Sequence, residues 1–187
     1  MKDYRASFED DRFYHLFNHA VGGDNIIQEE KNYEFFLSRF AKYMVSNVNV
    51  YAYCVLPNHF HFVFQVNAKR TASISDLLKY FFTSYTNSVN KVYQRRGSLF
   101  EPRVKRIAID SEQYLRECIR YVHRNPVQHG FVDDPALWNY SSFNTILNKN
   151  TISTIPVEVE KVLDLFGDLP NFVHCHCMAM DGIEEFE

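Results

Sequence analysis

The chain is 187 residues long, 46% hydrophobic and 16% aromatic, which is enough apolar material for a real core in one domain-sized unit. No charged-then-apolar leader opens it and no apolar run nears the roughly 20 residues that cross a bilayer, so it reads as cytoplasmic with no membrane partner, and its four cysteines, none in a Cys-x-x-Cys pair, read as reduced thiols rather than a secreted disulfide framework. The net charge of -3 would exclude nucleic acid only if charge were spread evenly, but nine basic residues against four acidic ones between Lys91 and Arg124 give that stretch +5 on an otherwise acidic chain.

Residues 13–21 predict a strand rich in aromatics and histidine, closed by the turn signal Gly22-Gly23-Asp24-Asn25. Between Glu30 and Met44, the residues Tyr33, Phe36, Leu37, Phe40, Tyr43 and Met44 recur at the spacing of one helical face. Residues 48–66 hold two apolar, aromatic runs that meet at Pro57-Asn58, which predicts a hairpin. Ser73 and Asp76 form a capping signature ahead of a second amphipathic helix that carries Ile74, Leu77, Leu78, Phe81, Tyr85, Val89 and Val92, with Gly97 as its stop. Residues 103–109 predict a fourth strand, after which Asp110 and Gln113 open a third helix that Pro126 closes, because the residue before proline is pushed out of helical conformation.

This order of elements predicts an α+β, ferredoxin-like (RRM-like) fold, an antiparallel sheet with helices packed on one face. Beyond Gly130 the pattern weakens to short helices at 138–147 and 157–166 and an acidic tail at 181–187. Residues 1–147 therefore read as the main domain, and 148–187 as a C-terminal extension.

The chemistry concentrates in two of these elements. Along the second arm of the hairpin, His59 and His61 point one way and Phe60, Phe62 and Phe64 the other, so two imidazoles share the face opposite the apolar one. Such a pair suits a divalent metal, although an isolated His-x-His more often decorates a sheet surface. In the third helix, at about 100° per residue, Tyr114, Cys118, Tyr121 and Asn125 fall in one sector beside the apolar stripe of Leu115, Ile119 and Val122. A helix lying on the sheet would bring Tyr121 and Asn125 to the histidines, with the Asn125 carbonyl oxygen available to the metal. Arg116, Arg120 and Arg124 recur every four residues on the other flank of Tyr121, where a phosphate under attack would find guanidinium groups; a solvated helix face is the plainer alternative. Arg95, Arg96, Arg103, Lys105 and Arg106 extend the basic region, interleaved with Tyr93 and Phe100 as backbone contacts with base stacking require. His174-Cys175-His176-Cys177 has soft metal ligands, but four consecutive residues do not readily close a tetrahedron, so it reads as an ordinary tail segment.

Taken together, Leu56-Pro57-Asn58-His59-Phe60-His61 at the end of a hairpin and Tyr121-Val122-His123-Arg124-Asn125-Pro126-Val127 in a later helix resemble the HUH single-tyrosine transposases, and within them the REP-associated tyrosine transposases. The resemblance runs over about residues 13–143 and includes Tyr14-His15-Leu16-Phe17-Asn18 and Trp138-Asn139-Tyr140-Ser141-Ser142. It implies that His59 and His61 are metal ligands, that Tyr121 is the nucleophile, and that Asn125, where many relatives have glutamine, is the third ligand. The implied substrate is single-stranded or hairpin DNA, cut through a 5'-phosphotyrosine with Mg2+ or Mn2+ and later rejoined. A monomer is implied for the REP-associated branch, with a homodimer as the alternative. Three rivals remain: a non-catalytic single-stranded nucleic-acid-binding module that stacks bases on an open sheet, a hydrolytic nuclease using water in place of Tyr121, and a decayed transposase that only binds.

Overall fold

Alternation along a strand sorts the hairpin's second arm into two chemistries, and each side has its own cover. The computed structural model describes residue 4 and residues 6–148 and 153–178; the acidic tail at 181–187 lies outside the described residues. Strands β1 (Phe13–His19), β2 (Val48–Val55), β3 (His59–Val66) and β4 (Lys105–Ile109) form an antiparallel sheet in the order β2-β3-β1-β4. Around it lie α1 (Lys31–Met44), α2 (Ile74–Val92), α3 (Glu112–Gln128), α4 (Phe143–Leu147), α5 (Val159–Phe166) and α6 (Leu169–Cys177). The class is the α+β, ferredoxin-like arrangement that the order of elements predicts. Among the described residues no helix is long and apolar enough to cross a membrane.

Phe60, Phe62 and Phe64 face α1 and α2, where Phe36, Phe40, Phe81 and Tyr85 meet them in one buried cluster. Phe40 stacks on Phe62 with centroids 3.7 Å apart and rings 1° from parallel. Each such ring taken out of water contributes about 1.5–3 kcal/mol, so this face anchors the sheet. The opposite face is covered as well: Leu115, Ile119 and Val122 of α3 pack with Val63 of β3, Cys54 of β2, Phe143 of α4, Phe166 of α5 and Phe172 of α6. Residues 153–178, an extension by sequence, thus share a core with the helix that carries Tyr121.

The ends of α2 and α3 differ from the sequence expectation for identifiable reasons. Ser73 occupies the N-cap of α2 but its side chain makes no capping bond, and the helix stops at Val92 because Gln94 takes φ 53° and Arg95 N–H returns to the Asn90 carbonyl, well before Gly97. Pro126 does not close α3; it lies inside it, buried, and the helix runs on to Gln128. The stop is Gly130 at φ 70°: its N–H donates to the Val127 carbonyl and Phe131 N–H to that of Pro126, the paired closure that glycine permits at a helix end. Ser111 begins α3, its hydroxyl oxygen accepting from Tyr114 N–H at 3.1 Å. Ser111→Ala is expected to cost about 1 kcal/mol in a urea melt, and an unchanged midpoint would show that the cap is dispensable.

Candidate active site

The sheet face beneath α3 gathers histidines from two strands. In the β1–β3 register, His19 lies opposite His59 and Phe17 opposite His61. His19 stacks on His59 with centroids 4.9 Å apart, while His15 and Phe17 stack on His61 at 5.1 and 5.6 Å. Helix α3 crosses this layer so that the Tyr121 ring stands edge-on to His61, 5.3 Å away at 89°, and to His15 at 6.0 Å. One turn later, Asn125 Oδ1 lies 2.8 Å from His59 Nε2. His59, His61, Tyr121 and Asn125 therefore form one cluster, and all four are buried.

Burial sets the protonation states. Desolvation pushes the His59 pKa down to about 3, against a weaker raising effect of its Asn125 contact, and holds His61 well below the ordinary imidazole value. Both rings are neutral at physiological pH, the form that ligates metals.

The hydrogen-bond pattern around His59 is one that a bound cation would fit. The side-chain oxygen Oδ1 of Asn58 lies 2.8 Å from His59 Nδ1 and can only accept, so Nδ1 carries the proton and Nε2 presents a lone pair. That lone pair faces Asn125 Oδ1, another acceptor, while Asn125 Nδ2 is buried without a partner. Two acceptors turned on each other at this separation suit co-ligands of one cation, since donors at about 2.1 Å and right angles sit about 3 Å apart. His61 fits the same scheme: its Nδ1 is 2.9 Å from His15 Nε2, and donating that proton leaves Nε2 free to ligate. Among the described residues no group of three or more His, Cys, Asp or Glu side chains is placed to hold a metal, so a cation here depends on the Asn125 amide as third donor.

Sequence reasoning missed three residues of this site: His15 and His19, and His129, whose ring lies 4.7 Å from that of His59. Alternation along β1 would have found the first two, because Phe13, His15, Phe17 and His19 all fall on one face.

The basic residues divide. Arg96 and Arg103 are exposed and Arg116 is half-buried, while the Lys105 ammonium stands 5.5 Å over the Phe17 ring, on the flank of the site. Arg95 is paired with Asp24, and Arg106 donates to the Ala6 carbonyl and lies over Phe8. Arg120 and Arg124, expected to meet phosphate, turn instead to α6: Arg120 donates to the Cys175 and Met178 carbonyls and Arg124 to that of His176. The 174–177 segment is accordingly not a loose tail but the last turn of α6, with His176 buried and Cys177 exposed.

No family model matches the chain. A curated Haemophilus influenzae protein, named for the REP-associated tyrosine transposases, is 26% identical over an alignment of 102 residues that covers 50% of this chain and 57% of that protein's length. A solved structure of a REP-associated tyrosine transposase bound to a REP hairpin superposes with a TM-score of 0.67, at 18% identity, over 85% of this chain and 93% of its own. The chain resembles the REP-associated tyrosine transposases in sequence and in fold. The sequence match spans little more than half of the curated relative, and the structural one, at its low identity, speaks for the fold. The resemblance to this family expected from the sequence is borne out.

Proposed function

We propose that this chain is a metal-dependent tyrosine transposase, a cytoplasmic single-strand DNA endonuclease and strand transferase that acts on hairpin or repeat sequences as a monomer. The observation that carries the reading is the single cluster in which Tyr121 stands against His61 while Asn125, one helical turn on, meets His59. The Tyr121 oxygen attacks a backbone phosphorus in line; the Tyr O–P bond forms, the bond to the 3' oxygen breaks, and the phenol proton ends on that leaving oxygen. One phosphodiester replaces another, so the step needs no external energy source and its reversal joins strands.

His59, His61 and Asn125 would hold Mg2+ or, better matched to imidazole, Mn2+. A bound divalent ion supplies a Lewis acid that stabilises charge developing on phosphate oxygens. The chain's own residues do the rest: Asn58 and His15 fix the imidazole tautomers, and α3 aims the phenol. The base-stacking alternative leaves the shared placement of His59, His61, Tyr121 and Asn125 unexplained.

The test is to incubate the chain with labelled single-stranded DNA from the repeats flanking its gene, with Mn2+ or with EDTA, and to resolve the products on a denaturing gel. A metal-dependent, protease-sensitive adduct supports the reading; binding without an adduct under any metal overturns it. Arg96, Arg103 and Lys105 are the basic residues best placed to meet the DNA backbone. Removing Arg96 and Arg103 together is expected to lower the slope of log affinity against log salt by about 1.4, with equal weakening across sequences. An unchanged slope in a filter-binding titration would place the DNA elsewhere.

A further inference from the structure

Helix α6 is tied to α3 by polar contacts that the reaction does not use. The Phe172 carbonyl lies 2.7 Å from His176 Nδ1 and can only accept, so Nδ1 holds the proton and Nε2 is an acceptor. His176 Nε2 is 3.0 Å from His123 Nδ1, which therefore donates, and His123 Nε2 then accepts from the Ser142 hydroxyl at 2.8 Å. The Ser142 oxygen accepts in turn from Tyr53 N–H on β2 at 2.9 Å. With the Ser142 proton given to His123 rather than to the Tyr53 carbonyl 3.3 Å away, which already accepts from Ser142 N–H, one assignment satisfies every member, and the relay runs from the α6 backbone through α3 to the sheet. On the same side, Arg120 and Arg124 donate to the terminal carbonyls of α6, groups a helix end leaves without partners and a cation favours.

His123 sits between Tyr121 and Asn125 in sequence, about 200° round the helix from Tyr121. We infer that α6 is a positioning element for the nucleophile helix: His176, acting through His123, fixes the rotation of α3 and hence the approach of Tyr121 and Asn125 to the two site histidines. This rests on the function proposed above. The lever is steep, because turning a helix by about 10° moves a side-chain atom about 6 Å from its axis by about 1 Å, and a displacement of that size costs about 100-fold in rate.

The experiment compares His176→Phe, which keeps bulk but loses the acceptor, with His176→Gln, whose amide oxygen can take the His123 proton, in the full chain. Single-turnover adduct formation at saturating DNA is expected to fall tenfold or more, and up to about 100-fold, in His176→Phe, with DNA affinity unchanged. His176→Gln should restore most of the rate, and hydrogen exchange of the α3 amides around residues 121–125 should quicken only in the phenylalanine variant. A wild-type rate in His176→Phe, or losses in both variants that merely follow melting temperature, would overturn the inference. If the wild-type chain forms no adduct at all, the proposed function fails separately, and the exchange data still decide: unchanged α3 protection in His176→Phe rejects the clasp and selective loss supports it.

Discussion

Tyr121→Phe is expected to abolish the covalent protein–DNA adduct while leaving DNA binding and the fold in place. The substitution removes one oxygen from a fully buried ring that packs edge-on against His15 and His61, so the contacts that hold α3 over the histidines survive. The stability cost is that of one hydroxyl, about 1 kcal/mol. The kinetic cost is of another order: deleting a nucleophile that works as a unit with its neighbours lowers turnover by about 10⁶-fold, and no phosphotyrosine can form on phenylalanine. Residual metal-dependent strand scission without an adduct would point to water as the nucleophile. Equal adduct in mutant and wild type would move the nucleophile to another of the 12 tyrosines.

What was legible in the sequence is what local periodicity encodes. The alternation of His and Phe along 59–64 set the two faces of β3, and the helical spacing of Tyr121 and Asn125 set them side by side, because both signals act over a few residues. What escaped depends on distant partners. The His123–His176 contact joins positions 53 apart and leaves no mark on its own neighbourhood, and the His15–His61 contact joins positions 46 apart, so the alternation of β1 gives the face of His15 but not its partner. The arginine stripe of α3 was visible, but its destination was not: a stripe reads the same whether it meets phosphate or the carbonyl end of a helix, and α6 supplies the latter for Arg120 and Arg124. Pro126 misled for a different reason. A proline costs a helix one hydrogen bond, and near the end of α3 burial of the ring and the Gly130 closure outweigh that loss.

The metal-free protein is expected to lose stability steeply as pH falls from about 6.5 to 5. Burial holds His59 and His176 at about 3 in the folded chain and keeps His61 and His123 well below the ordinary value, whereas unfolding returns all four to about 6.5. Below pH 6.5 the unfolded state therefore binds more protons than the folded one, so stability rises with pH in this window; it is fully present above 6.5 and lost on the way down toward the folded values. At pH 5 the penalty is about 2 kcal/mol for each of His59 and His176, about 4 kcal/mol together, with His61 and His123 adding in the same direction. Against a typical total of about 5–15 kcal/mol this is a large share, equivalent to a drop in Tm of roughly 8–16 °C or more in a chain of this size. The check is a set of thermal melts in EDTA from pH 7.5 to 5. His176→Phe, which removes one of the titrating groups, should show a shallower slope than wild type. Melting temperatures flat across the range would mean that the imidazoles are hydrated in solution, and would remove the basis for treating the layer beneath Tyr121 as a closed site. Mn2+ at pH 7.5 should raise Tm in proportion to the logarithm of its concentration and lose that effect as the pH falls, because ligation and protonation compete for the same imidazole lone pairs.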